Sequence, residues 1–308
     1  MKKIESAVAR DCWIGVSEFL DPCSYRELLI TGNEIRNAIG RDGDELIWRK
    51  FCGAMLRDSI VDLPIGSSWR NYFRVMNFVA NRSPHNFTGA MRISASLGYD
   101  FILQYLLSNY KLDVNDASDI DQTGFTQSGS RAIHQASKNG RLSTVEILVD
   151  VFKAEPDAVD HNGRTALMLA SAHGHFDVCK YLIRRGGCDV NVAAHFGFTA
   201  LHFAAMMHYS SIVSLLLEHG ATVALRDQRG WTPLMVAISS VPRDMDPDRN
   251  VRVRQTLAHL LRRGADCTTS DCILTGKSVM DIAKSLGLFE IVSWMEDFVQ
   301  TLPRSAIG

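Results

Sequence analysis

Along the chain, apolar and small side chains recur at two spacings at once. Within short segments they fall three or four residues apart, the spacing of one helix face. Between segments the whole pattern returns after about 34 residues. Residues 165–174 read TALMLASAHG, 199–208 read TALHFAAMMH and 232–241 read TPLMVAISSV. Upstream, 131–140 read RAIHQASKNG and 89–98 a looser GAMRISASLG; downstream, 278–287 read SVMDIAKSLG. The phrases ending at Gly140, Gly174, His208 and Val241 are 34, 34 and 33 residues apart. A second apolar stripe comes after each phrase, for example Val178, Tyr181 and Leu182, or Ile212, Val213, Leu215, Leu216 and Leu217. Gly186–Gly187 and Gly220–Ala221 close two of these stripes. The pattern predicts pairs of short helices, one pair per period and about six pairs in all.

Each position of the phrase has a physical use. Thr or Pro at its start caps a helix or presets its first φ. Leu and Ala at the third, sixth and seventh places form a narrow stripe against which a neighbouring pair can pack closely. Glycine at the tenth place suits a left-handed turn. A Gly-x-Thr before the phrase (Gly163 to Thr165, Gly197 to Thr199, Gly230 to Thr232) supplies a tight turn. One such unit cannot bury its apolar face alone, whereas a stack can. The fifth copy carries 11 extra residues before its closing glycine. They fall in 241–250, whose prolines and charges predict a surface loop, as does the Asp-, Ser- and Thr-rich stretch 116–129.

The repeated phrase resembles the T-P-L-H-x-A signature of the ankyrin repeat, whose period is about 33 residues. The resemblance covers 87–300 and leaves 301–308 as a tail. It implies an all-α solenoid of about six repeats with short hairpin loops. It also implies that hairpin tips and the exposed end of each first helix form a concave partner surface. On this chain those positions are His161, Asn162 and Arg164; His195, Phe196 and Phe198; and Gln228, Arg229 and Trp231. The matching first-helix positions include His173, Met206 and Met207. Phe196, Phe198, Met206, Met207 and Trp231 stand where repeats of this family are usually polar or neutral. Apolar groups clustered in this way are what an interface core requires. Phe198 and Trp231, directly before the threonine, serve equally well as packing between hairpins.

Residues 1–80 show another pattern. Short amphipathic stretches run from Trp13 to Leu29, interrupted by a Leu-Asp-Pro break at Leu20 to Pro22, then from Asn33 to Ile39 and from Asp44 to Cys52. A further helix is predicted from Trp69 to Val79, and the polar, proline-containing 81–86 reads as a linker. The Phe19-Leu20-x-Pro22 break, the Leu46-x-Trp48 element and Ser68-Trp69-x-x-Tyr72 resemble an F-box and the segment just after one. The chain departs from that pattern at Val8-Ala9, at Ile35 and in the polar 40–44. The resemblance implies a small helical domain that docks a Skp-type linker through Trp13, Val16, Phe19, Leu20, Pro22, Leu28 and Trp48. A capping domain for the repeat stack accounts for the same residues.

Composition narrows the alternatives. Of 308 residues, 46% are hydrophobic and 22% charged, which is globular composition. The 33 Lys and Arg against 34 Asp and Glu leave a net charge of −1, so no global basic field points to nucleic acid or a membrane surface. Seven scattered cysteines suit reduced thiols in a cytoplasmic or nuclear protein. No glycine-rich phosphate loop, Gly-x-Ser-x-Gly or His-Glu-x-x-His occurs in the sequence. His173 and His175 sit in the repeat's turn, and Cys267-x4-Cys272 lacks the companions of a zinc site. The expectation is a protein without catalytic residues, metal or cofactor.

From the order of modules, the expected function is a substrate-recognition adaptor of an SCF-type ubiquitin ligase. The leading domain would hold the Skp-type linker and its cullin complex, and the repeat groove a protein substrate. A plain ankyrin scaffold or inhibitor, with no link to ubiquitylation, is the alternative.

Overall fold

A computed structural model describes residues 87–117, 129–242, 247–267 and 276–302. The expected F-box-like domain at 1–80, with Trp13, Val16, Phe19, Leu20, Pro22, Leu28 and Trp48, and the linker 81–86 lie outside the described residues, as does most of the 116–129 stretch. The described residues form twelve α-helices and no strand. The chain divides into two compact units, one containing residues up to Asp113 and the other most of the chain beyond it.

In the first unit, α1 (Phe87–Leu97) packs against α2 (Asp100–Tyr110). Ala90, Met91, Leu103 and Leu106 are buried between them. The second unit holds five further pairs: α3 (Ala132–Lys138) with α4 (Leu142–Glu146), α5 (Ala166–Ala172) with α6 (Phe176–Arg184), and α7 (Ala200–Met206) with α8 (Ser210–Glu218). Then come α9 (Pro233–Ser239) with α10 (Pro247–Arg262), and α11 (Val279–Ser285) with α12 (Phe289–Thr301). A π-helical turn, Ile147–Val151, extends α4.

The first helices α3, α5, α7, α9 and α11 pack on one another in chain order, and the second helices α4, α6, α8, α10 and α12 do the same. This two-row stack is a consequence of the alanine stripe. Ala132, Ala136, Ala166, Ala170, Ala200, Ala204, Ala237 and Ala283 are buried at the first-helix contacts, where larger side chains would hold the axes apart. Leu148, Leu167, Leu182, Leu201 and Ile212 fill the layer between the rows.

Helix starts obey the phrase. Thr165 Oγ1 accepts from the Met168 amide (3.3 Å) and Thr232 Oγ1 from the Met235 amide (3.4 Å), with Pro233 at the first helical position. Ser278 and Asp281 form a reciprocal capping pair at α11. At the tenth place Gly174 has φ +79° and the Tyr209 ring lies against it, so close that a Cβ would fall 2.7 Å from the ring. In the next repeat His208 adopts the same left-handed conformation, at φ +56°.

One expectation is corrected. The stretch 241–250 is not all loop: its last four residues form the first turn of α10, which at 16 residues is far longer than the nine of α6 and α8. Pro247 is acceptable there because the first turn of a helix has no use for its amide hydrogens. The extra residues are therefore partly spent on lengthening a helix. Arg254 and Arg262 of that helix lie over Trp294 and Phe298 of α12, at 5.9 and 5.3 Å from the ring centres. The two rings stack on each other at 5.1 Å.

Candidate partner-binding face

The predicted hairpin tips are three tight turns preceding α5, α7 and α9. Each closes through the same pair of backbone bonds. The amide of Asp160 donates to the Arg164 carbonyl (3.0 Å), that of Ala194 to Phe198 (2.8 Å) and that of Asp227 to Trp231 (2.9 Å). The turn glycines Gly163, Gly197 and Gly230 return a bond to the first residue of each turn. Neighbouring turns are tied together as well, by His195 N–H to the Asn162 carbonyl and by Gln228 N–H to the Phe196 carbonyl, each 3.0 Å.

Two of the three turns carry a second lock. Asp160 Oδ1 accepts from the amides of Asn162 and Arg164, and its Oδ2 takes two hydrogen bonds from the Arg164 guanidinium at 2.9 and 2.8 Å. Burial opposes the charge on this carboxylate, but the Arg164 and amide bonds outweigh it and hold Asp160 below the usual carboxylate range. Asp227 repeats the arrangement with the amides of Arg229 and Trp231 and, at 3.4 Å, with Arg229 Nε. The middle turn has Ala194 at this place. It closes by backbone alone and carries Phe196 and Phe198 where the preceding turn has Asn162 and Arg164 and the following one Arg229 and Trp231.

Beneath the turns two histidines brace one repeat against the next. His134 Nδ1 accepts from the Arg131 amide and its Nε2–H donates to the Ala158 carbonyl (2.8 Å). His202 Nδ1 faces the Thr199 amide and hydroxyl, and its Nε2–H donates to the Trp231 carbonyl (3.1 Å). Burial pushes both rings toward the neutral form.

Phe196 is 66% exposed and Met207 46% exposed. His161, Asn162, His173, His195, Gln228 and Arg229 are also exposed, whereas Arg164, Met206, Phe198 and Trp231 are half-buried. Phe198 rests on the rings of His202 and Phe203, at 5.3 and 5.4 Å. Trp231 lies beneath the Arg229 guanidinium, 5.2 Å away. The last two side chains thus have packing partners within the protein, while Phe196 and Met207 present bare apolar surface. Asp160 and Asp227, which organise the turns, were not singled out in the sequence. Their signal is an aspartate three residues before the turn glycine, present in two copies and replaced by alanine in the third.

Among the described residues no group of three or more His, Cys, Asp or Glu lies close enough to hold a metal ion. His173 and His175 stack in parallel at 6.3 Å, but each ring donates to a carbonyl, of Leu169 and Lys138 respectively. Burial pushes the Cys179 thiol up to about 12 and raises that of Cys188, the reverse of what a nucleophile needs. Among the described residues no helix is long and apolar enough to cross a membrane.

Comparison with known proteins agrees with this architecture. A family model described as ankyrin repeats (3 copies) matches residues 90–194 and again 186–271, together more than half of the chain. The chain is similar to human BCL-6 corepressor-like protein 1, 33% identical over 123 residues, which are 40% of this chain and 6% of that protein. It is also similar to palmitoyltransferase AKR1 of Lachancea kluyveri, 34% identical over 110 residues, 35% of this chain and 15% of that protein. Mouse protein fem-1 homolog A-like is 38% identical over 90 residues, 29% of this chain and 14% of that protein. The matched stretches are thus small parts of much longer relatives. With its recurring phrase, its two-row stack of helix pairs and its ladder of tied turns, the chain belongs to the ankyrin-repeat family.

Proposed function

We propose that this protein is an adaptor whose turns and first helices hold a partner polypeptide, with residues 7–52 docking a Skp-type linker and so bringing the partner to a ubiquitin ligase. The ankyrin stack is a protein-interaction module. The observation that carries the partner-binding part is the bare apolar surface of Phe196 and Met207 on a rigid, hydrogen-bonded frame. Exposed groups of this kind are desolvated on contact, and the Phe196 ring, with two side-chain torsions, loses less conformational freedom than the more adaptable Met207. The docking part rests on the sequence of the leading region, Phe19-Leu20-Asp21-Pro22 above all. The adaptor itself supplies proximity, and transfer chemistry belongs to other subunits.

Co-purification of the full chain separates the parts. A Skp-type linker recovered with the wild type and lost on Leu20→Asp with Pro22→Ala supports the adaptor. Its absence from folded wild-type protein leaves a plain ankyrin scaffold. A partner protein that stays bound to Phe196→Ala with Met207→Ala would remove the face from the account.

A further inference from the structure

Carboxylates, though not charge as a whole, are unevenly placed on the helices of residues 131–262. The first helices α3, α5, α7 and α9 contain no Asp or Glu, while α4, α6, α8 and α10 carry Glu146, Asp177, Glu218 and Asp248. The second helices also carry Lys180, Arg184, Arg249, Arg252, Arg254 and Arg262, and the later first helix α11 carries Asp281. The three turns 160–164, 194–198 and 227–231 hold two carboxylates, Asp160 and Asp227, 4% and 5% exposed and turned into their own backbone. What these turns and first helices show to solvent is cationic, apolar or, as at Asn162 and Gln228, neutral polar, without a carboxylate. Lys138 at the end of α3 and Arg229 at a turn tip are exposed, and Arg164 is partly so. Repeat register places Lys138 and Met206 in one row of first-helix positions, and Asn162, Phe196 and Arg229 in one row of tips. Phe196 thus has Arg229 on one side of its row and Asn162 on the other, Met206 shares its row with Lys138 two repeats away, and no carboxylate is exposed on these three turns or four first helices.

We infer that the segment held on this side is an acidic peptide with apolar anchors, the anchors meeting Phe196 and Met207 and its carboxylates facing Lys138 and Arg229. This rests on the reading of the face as a partner surface. Complementary charge selects the partner and its register, and the buried anchors supply residence time. Nucleic acid fits less well. The chain as a whole is net −1, and Arg164 is committed to Asp160, which leaves Lys138 and Arg229 as two separated cations and no continuous basic track. The exposed centre of the face is apolar, not a track of cations.

The test pans a phage library of random 12-residue peptides on the full chain, then measures enriched peptides, synthesised with fluorescein, by anisotropy. The expected winners carry more Asp and Glu than Lys and Arg around aromatic or large aliphatic residues. Phe196→Ala with Met207→Ala should weaken them at least tenfold, and Lys138→Glu about five- to tenfold, more at low salt than at high. All three side chains are exposed, so unchanged thermal melts will show that the fold is intact. Winners that are neutral or basic yet still need Phe196 overturn the charge inference and leave the partner face standing. No enrichment, or winners indifferent to Phe196 and Met207, overturns both. Displacement of the peptides by a 20-base single-stranded oligonucleotide at equal concentration assigns the face to nucleic acid instead.

Discussion

His202 in α7 donates its Nε2–H to the backbone carbonyl of Trp231, 29 residues on, at the turn before α9. One buried side chain thus joins the start of its own helix, through Thr199, to the hairpin of the next repeat. Replacing it with leucine keeps most of the volume but leaves the Trp231 carbonyl without that donor. The expected cost is about 1–3 kcal/mol in urea unfolding. An unchanged midpoint would mean that the bridge contributes nothing net.

Acid should loosen the stack in two stages. Burial lowers the folded pKa of His134 and His202 and pushes that of His208 down to about 4. The unfolded chain then binds protons first, near pH 6.5, and stability that is whole above this value declines below it. Asp160 is also depressed, so its share is present above about pH 4 and is lost only under stronger acid. Urea midpoints should fall between pH 7.5 and 5, before the aspartates titrate. A flat profile across that range would contradict neutral, buried rings.

His208 combines φ +56° with an Nδ1 that is buried without a hydrogen-bond partner. His208→Gly removes both costs and should flatten part of the decline below pH 6.5, although it gives up the packing of a ring only 8% exposed. The difference between midpoints at pH 5 and 7.5 is the readout, and it should shrink.

Ala194 occupies the place of Asp160 and Asp227. Ala194→Asp supplies an acceptor for the amides at 196 and 198 and should stabilise the middle turn by about 1 kcal/mol. Slower amide exchange at 195–198 would report it. Conversely, Asp160→Ala strands the Arg164 guanidinium and should cost about 2 kcal/mol.

Phe196→Ala with Met207→Ala should leave the melting temperature within about a degree or two, because neither side chain is buried. Loss of partner affinity by about 2–3 kcal/mol, on the scale of interface hot spots, is the expected companion result. A large fall in melting temperature would reclassify them as packing.

Much of the fold was legible because each repeat must solve the same packing problem. Thr165, Thr232 and Ser278 cap helices as their places in the phrase require, and the alanine stripe sits at the first-helix contacts. The loop expected at 241–250 went partly astray because Pro and Asp signal loops and helix first turns alike, and only tertiary contacts with α12 decide between them. The role of Asp160 and Asp227 escaped notice for a related reason. A carboxylate bound to its own turn looks, in sequence, like any surface charge. For Phe198 and Trp231, packing and contact stayed open until ring positions were visible, since both uses favour an aromatic beside Thr199 or Thr232.

The turns are laced to one another by main-chain amides and carbonyls, so the ties between repeats do not depend on the side chains at the outer tip positions. Substitutions at positions such as 162, 196 and 229 can rewrite what is recognised without reopening the question of how the molecule folds. Selectivity here is open to evolutionary change one fingertip at a time, with the knuckles left untouched.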